Sequence, residues 1–569
     1  MASRKALRDE WLARWEPALA CWSRHTRLSL PRLCLSEEDA QREGLHGSFA
    51  MIRYVDHAIV VSLPEVEKRG VGRFALEILA HEVGHHVLFP QNLHDHGRAM
   101  ARVRRGLPTR EHLAPFVQNL WADLLVNDRL ARDHGLDLAG VYRALGTGPK
   151  GPLWTFYLRI YERLFGLPPQ TLTPSDGSDR LEGDAALGAR LVRAYAQDGV
   201  RGAGRFAALA FPYLLEDEAG AGRGALAPLL DTGSYGEGAD SPDLASIDAD
   251  EEDDVIHPAE DPLLGGAPGE PRKPPGKGGK RSRDTYRGPL EYGELLQALG
   301  QALSPEEATM RYYRERARPH VIPIPSRLAP VNEPLPEGFA PWEIGDPVES
   351  IDWLASLLRS PHPIPGLTTV ERTYGEGPGG ERKLAPFDLY IGIDCSGSMP
   401  NPERQASAPV LAGVALTLSA LRSGARVRVV LSGEPGRSIT TKGYVSRPEE
   451  ALSILTSYLG TGYAFGVHRL AEALSGRRPE ERPVHLVVMT DFDVFSLLDK
   501  DDGWGVAARA LTDAKGGGTF VLRAPPGAEH PGIPRLGELG YGVVRVYEEE
   551  DLPRFARELG RRLYERAAR

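Results

Sequence analysis

The sequence predicts a multidomain protein, with a mainly helical α+β domain over residues 1–234 and an α/β doubly wound domain over 385–569. Three observations carry that reading. From Ala385, strand-like and helix-like stretches alternate at the spacing of a mostly parallel sheet. Before about residue 234 the apolar pattern has mainly the helical period. Between them, from Ala239, the chain reads ADSPDLASIDADEEDDVIHPAEDPLLGGAPGEPRKPPGKGGKRSR. That stretch is first acidic, then rich in Pro, Gly and Lys, with too little apolar surface to order itself. Residues 235–288 are therefore expected to be a solvated linker, and 289–384 a connecting module of short helices and proline-rich loops.

In chain order, IRYVDHAIVVS mixes β-branched residues with alternation and predicts a strand or hairpin near residues 51–62. VEKRGVGRFALEILAHEVGHHVLF predicts one long helix, REHLAPFVQNLWADLLVNDRLARDHG a second and PLWTFYLRIYERLFG a third. Further helices are expected over 180–197 and 203–216. In the connecting module the helical pieces are GELLQALGQAL and ESIDWLASLLRS. In the last domain FDLYIGID, ARVRVVLSG, ITTKGYV, VHLVVMTDFD, TFVLRAP and GVVRVYEE read as strands. The helices between and after them are RQASAPVLAGVALTLSAL, EEALSILTSYL, FGVHRLAEALSG and the terminal DLPRFARELGRRLYERAA.

A chain of 569 residues is too long for one core. Hydrophobic residues at 41% and charged residues at 26% suit a folded soluble protein, and no apolar run is long enough to span a bilayer. The N-terminal stretch carries acidic residues within its amphipathic pattern, which argues against a secretory signal. Three cysteines, Cys21, Cys34 and Cys395, form no CxxC pair, so a reducing, cytoplasmic setting is expected. A net charge of −10 disfavours general nucleic-acid binding. The basic stretches KPPGKGGKRSR and ARVRRG lack the fold motif or aromatic interleaving that such binding requires.

Ligands of doubly wound sheets gather at the carboxyl ends of the strands. FDLYIGID ends in Asp394, followed by Ser396 and Ser398, and VHLVVMTD ends in Asp491 at the same sheet edge. Thr461 lies in the glycine-flanked loop YLGTGYAFG and offers another hydroxyl. These five residues make an oxygen-only set suited to Mg²⁺ and ill suited to zinc. Cys395 is expected to point away from the ion, and Asp493 either tunes the site from behind its ligands or is a solvated loop carboxylate. DCSGS, GTG and MTD in this order resemble the metal-ion-dependent adhesion site (MIDAS) of von Willebrand factor type A (VWA) domains over about residues 385–569. The resemblance implies that the ion binds a partner's carboxylate rather than catalysing a reaction.

In HEVGHH, His81 and His85 are four apart on a predicted helix, so both imidazoles share one face and can hold one ion. Glu82, one residue along, is placed to act as a general base. The apolar setting FALEILAHEVGHHVLF makes these polar side chains costly to bury without a metal. Asp123 in QNLWADLLVNDRL is the expected third ligand; His86, His94 and His96 are rivals, with HDH at 94–96 read as an exposed loop. Asn127, one turn beyond Asp123, can hydrogen-bond the second nitrogen of a ligand histidine. ILAHEVGHH with NLWADLLVND resembles the zincin-like metallopeptidase domain of bacterial proteins that also carry a type A domain. On that resemblance His81, His85 and Asp123 are Zn²⁺ ligands and Glu82 the base. The doubled histidine, and Asp123 where many zinc peptidases have a glutamate, depart from the pattern.

Two functions of different class follow. One is a zinc metallopeptidase whose Mg²⁺-dependent domain recruits a substrate or regulator. The other is a non-catalytic adaptor for client remodelling or metal insertion, with a structural or peptide-binding N-terminal half. Intracellular type A domains of this kind resemble partners of MoxR-type AAA+ ATPases acting on a protein client. The chain has no GxxxxGK[ST] loop, so such an ATPase has to be a separate protein.

Overall fold

The computed structural model describes residues 2–220, 244–246, 256–265, 286–378 and 383–548, with 551, 555, 558 and 559. Within these ranges the description leaves out 24, 46–47, 54–55, 147–150, 174–177, 323–325, 330–331, 434–436, 463, 476–481 and 526. The residues form two compact units, Met1–Glu315 and Arg316–Arg569. The boundary falls inside the stretch read from sequence as a connecting module. Most of the expected terminal helix lies outside the described residues. No helix among the described residues is long and apolar enough to cross a membrane.

The first unit opens with α1 (Ala2–Leu12) and α2 (Trp15–Ala20), which bury Trp11 and Trp15. Strands β1 (Arg32–Cys34), β2 (Ala50–Arg53) and β3 (Ala58–Ser62) form a small sheet in the order β1-β3-β2, with α3 (Glu37–Arg42) between β1 and β2 in sequence. β2 and β3 are the expected hairpin, antiparallel with Ala50 opposite Val61, while β1 runs parallel to β3.

The single long helix expected before His81 is broken. Ser62 caps α4 (Leu63–Lys68), and Gly70 then takes φ +69, which a continuing helix cannot tolerate. The helical path resumes as a short 3-10 turn and then α5 (Ala75–Val87). HDH at 94–96 is also not a loop. The Asn92 side chain accepts from Asp95 N and starts α6 (Leu93–Gly106) just ahead of His94. His96 is thereby buried.

Helix α7 (Ala114–His134) stops at Gly135, whose φ of +64 is the left-handed cap, with Arg132 and His134 in its last turn. It is followed by α8 (Leu138–Leu145), α9 (Pro152–Leu164), α10 (Asp179–Ala194) and α11 (Gly199–Gly220). Two pieces of the stretch read as a solvated linker are packed on this unit. Ala245 N donates to Glu315 Oε1 at 2.9 Å, and the Asp261 carboxylate accepts from Arg205 Nε and Tyr195 Oη at 2.7 Å each. Two further helices follow, α12 (Pro289–Ala298) and α13 (Pro305–Ala317).

The second unit begins with two antiparallel ribbons that the proline-rich sequence concealed. β4 (Ser326–Ala329) pairs with β7 (Lys383–Pro386), and β5 (Asn332–Pro341) with β6 (Val370–Pro378), with α14 (Trp353–Arg359) between β5 and β6 in sequence. The rest is the α/β arrangement. Its strands are β8 (Asp388–Asp394), β9 (Val427–Gly433), β10 (Arg437–Thr440), β11 (Val484–Thr490), β12 (Lys515–Leu522) and β13 (Tyr541–Arg545). They form one six-stranded mixed sheet in the order β10-β9-β8-β11-β12-β13, parallel except for β10. The helices are α15 (Ala408–Arg422), α16 (Pro448–Leu455), α17 (His468–Leu474), α18 (Val494–Leu498), α19 (Gly503–Ala514) and α20 (Gly532–Glu538). β8 and β11 are buried along their whole length, as strands covered on both faces must be.

Candidate metal centres

In the first unit, α5 and α7 cross closely at Gly84, where a β-carbon would fall 2.5 Å from Val126 Cγ1. This contact brings three ligand atoms together. His85 Nε2 lies 3.2 Å from His81 Nε2, and Asp123 Oδ1 lies 3.3 Å from His85 Nε2 and 3.4 Å from His81 Nε2. Among the described residues this is the one group of three or more His, Cys, Asp or Glu side chains so converged. The rival histidines lie outside it. His96 accepts from Gln118 Nε2 at 2.8 Å, and burial, with His85 nearby, pushes it down to about 3. His86 packs its ring 4.4 Å from that of His57, and His94 is partly exposed beside Asp95.

Asp123 Oδ1 and Glu82 Oε2 are buried and have no hydrogen-bond partner among the described residues. Two histidines and a carboxylate converging on one point form a donor set that fits zinc. Burial pulls the His81 imidazole down, but Asp123, Glu82 and Asn127 outweigh it and bring it up to about 9. Burial pushes Asp123 up, but the two imidazoles outweigh it and hold the carboxyl at about 2. Burial and the Asp123 charge raise the Glu82 carboxyl, despite His81 and His85.

Asn127 stands where the sequence suggested, with its Oδ1 2.7 Å from His81 Nδ1. Behind it lies a group the sequence reading missed, the hydroxyls of Tyr142, Tyr157 and Tyr161. On α9, Tyr157 and Tyr161 have the i, i+4 spacing of a helix core face, which hid them. A cavity of about 310 Å³ opens beside the ligand group, and its wall includes Glu82, Phe49, Leu120, Val141, Tyr142 and Trp154.

In the second unit, strand register assembles the other group. Ile393 pairs with Met489, so Asp394 and Thr490 end adjacent strands side by side. Thr490 Oγ1 donates to Asp394 Oδ2 at 2.6 Å, and Ser396 N donates to Asp394 Oδ1 at 2.8 Å. Ser396 Oγ and Ser398 Oγ are 2.9 Å apart, and Ser398 Oγ donates to Asp491 Oδ2. Asp394, Ser396, Ser398 and Asp491 are therefore linked in one chain of contacts. Thr461 joins through its backbone, pairing with Ser396 and accepting from Gly397 N at 2.8 Å. Its hydroxyl lies against Gly433, where a β-carbon would fall 2.0 Å from Oγ1.

Asp493 is exposed and reaches the group through its backbone N–H, which donates to Asp491 Oδ1 at 2.9 Å. Cys395 is buried and accepts from Leu459 N. Burial and the neighbouring Asp491 raise the Asp394 carboxyl above the usual range, against the hydrogen bonds from Thr490 and Ser396. All these oxygens suit a hard divalent ion such as Mg²⁺. Thr490, the residue before Asp491, was readable in MTD but was not singled out.

No family model and no curated protein matches the chain. It is similar to a solved structure described as von Willebrand factor type A from Catenulispora acidiphila, at 20% identity and a TM-score of 0.22. The match covers 31% of this chain and 43% of that one, so the chain spans less than half of that protein's length.

Proposed function

We propose that the protein is a zinc-dependent metallopeptidase that carries a Mg²⁺-dependent type A protein-binding domain. The observation that carries this reading is the convergence of His81 Nε2, His85 Nε2 and Asp123 Oδ1 beside the buried carboxylate of Glu82, whose Oε2 has no hydrogen-bond partner among the described residues. When bound there, zinc would supply Lewis-acid polarisation of a peptide carbonyl and make water easier to deprotonate. Glu82, buried beside the ligand group in the wall of the same cavity, would take that proton. Asn127 holds His81 from the far side. Ser48 to Ala50, at the start of the sheet-edge strand β2, line the same cavity, so a peptide held there would lie along that edge.

In the second unit, Asp394, Ser396, Ser398, Thr461 and Asp491 would hold Mg²⁺, with Asp493 tuning the group through its N–H on Asp491, and the ion would supply the attraction for a partner's carboxylate. The partner is a separate MoxR-like AAA+ ATPase, working on a protein client in the cytoplasm. The test is Glu82→Gln. It keeps the side chain's shape, so the variant retains one zinc per chain by elemental analysis while casein or peptide-library cleavage falls about 10²–10⁴-fold. His85→Ala loses the metal. A wild-type protein that holds one zinc yet cleaves nothing, with or without the ATPase, is the adaptor of the alternative reading.

A further inference from the structure

Four contacts join the Asn127 side chain and three tyrosine hydroxyls. Asn127 Nδ2 lies 2.8 Å from Tyr161 Oη and 3.2 Å from Tyr142 Oη, and Tyr161 Oη lies 3.0 Å from both Tyr142 Oη and Tyr157 Oη. Tyr157 and Tyr161 are almost fully buried, so contacts left without a proton are costly. Each hydroxyl brings one proton. If the Asn127 amide were reversed, its carbonyl would face the tyrosines, and three protons would have to serve these four contacts. One contact would then set lone pair against lone pair. With the amide NH₂ facing the tyrosines, two more protons enter and every contact is filled.

From this proton count we infer that Tyr142, Tyr157 and Tyr161 are positioning residues for the metal centre. They fix the Asn127 amide so that its carbonyl must face His81. The carbonyl accepts from His81 Nδ1–H at 2.7 Å, which leaves the Nε2 lone pair directed at the point shared with His85 and Asp123. The role rests on the proposed metal site, whereas the tautomer itself does not. Tyr142 is the decisive member. Without its hydroxyl two contacts remain for two hydroxyl protons, and the reversed amide is no longer penalised.

The experiment compares wild type, Tyr142→Phe, Asn127→Asp and the double variant. Zinc affinity is measured by chelator competition, and the His81 tautomer by long-range ¹H–¹⁵N spectra of ¹⁵N-histidine protein, metal-free at about pH 10, above the histidine titration. Wild type shows His81 as Nδ1–H. Tyr142→Phe shows a mixture of tautomers and binds zinc about tenfold more weakly. In the Asn127→Asp background the same Tyr142→Phe change has no effect on the tautomer, because a carboxylate accepts from His81 in either orientation. An unchanged tautomer in Tyr142→Phe overturns the inference. An equal loss of zinc affinity in the Asn127→Asp background also overturns it, because the tyrosine would then act only through packing. Should the wild type bind no zinc, the metal reading falls, and the spectra still decide the role of the tyrosines.

Discussion

Asp261 and Glu82 are both buried carboxylates, yet their surroundings push them in opposite directions. Glu82 is raised by burial and by the Asp123 charge, which outweigh His81 and His85. Burial would raise Asp261 too, but Tyr195, the Leu263 N–H and Arg205 outweigh it and hold its carboxyl below the usual range. A carboxyl depressed in the folded state means that the unfolded chain binds the extra proton. The stabilisation is therefore complete above the unfolded value of about 3.9 and is lost as pH falls through the folded one. Acidification below about pH 4 is expected to release residues 256–265 from α10 and α11, seen as faster amide exchange there than in the rest of the unit. Asp261→Ala removes the carboxylate that accepts from Arg205 Nε and Tyr195 Oη and costs about 1–3 kcal/mol at neutral pH. Unchanged exchange at low pH would show that apolar contacts such as those of Leu264 hold the segment. Composition hid this anchor, because a single Asp in DPLLGG within an acidic stretch looks like one more solvated charge. His81, Glu82, His85 and Asp123 were legible for the opposite reason: polar side chains recurring at helical spacing inside apolar runs demand an explanation.

Elements carry the site only as far as they can approach one another. Gly84 sits in the middle of HEVGHH, and a methyl there would meet both Trp22 Cζ2 and Val126 Cγ1 at 2.5 Å. Gly84→Ala must push α5 away from α7, the helix that carries Asp123. We expect a loss of about 1–3 kcal/mol from overpacking. Zinc affinity falls with it, because His81 and His85 ride on one helix and Asp123 on the other. Differential scanning calorimetry and chelator competition on the same variant check both; a stability loss with full zinc affinity would mean that the ligands tolerate the shift. The helices and buried strands near both centres were legible, since periodicity survives in FALEILAHEV and in FDLYIGID. The β5–β6 ribbon was not. Pro334, Pro336 and Pro341 argue against a strand, but each strand of a two-stranded ribbon has a free edge where a missing N–H costs nothing. Likewise, Gly70 broke a helix whose hydrophobic period ran on across it.

On the scale of the whole molecule, each unit offers a different donor chemistry, nitrogen with carboxylate in the first and oxygen alone in the second. That difference makes the two centres separable by ion. A ligand that binds only the folded state stabilises it by about 2.7 kcal/mol at a hundredfold excess over Kd. For units of this size that raises Tm by about 5–10 °C. Zinc is expected to stabilise the wild-type chain through His81, His85 and Asp123, and Mg²⁺ through the second unit. Asp394→Ala abolishes the Mg²⁺ response and leaves the zinc response intact, and His85→Ala does the reverse. The fold of the Asp394→Ala variant survives because Asp394 ends β8 at the rim of the sheet rather than in its centre. The proposed partner follows the same ion. An AAA+ ATPase recovered from cell extract on the wild-type chain in Mg²⁺ is lost in EDTA and on the Ser396→Ala, Ser398→Ala chain, whose Mg²⁺ response in Tm is lost too. Recovery of the ATPase on a chain that no longer responds to Mg²⁺ would exclude a metal-bridged contact. Loss of both ion responses in each single variant would show that one ion's binding is coupled to the other's.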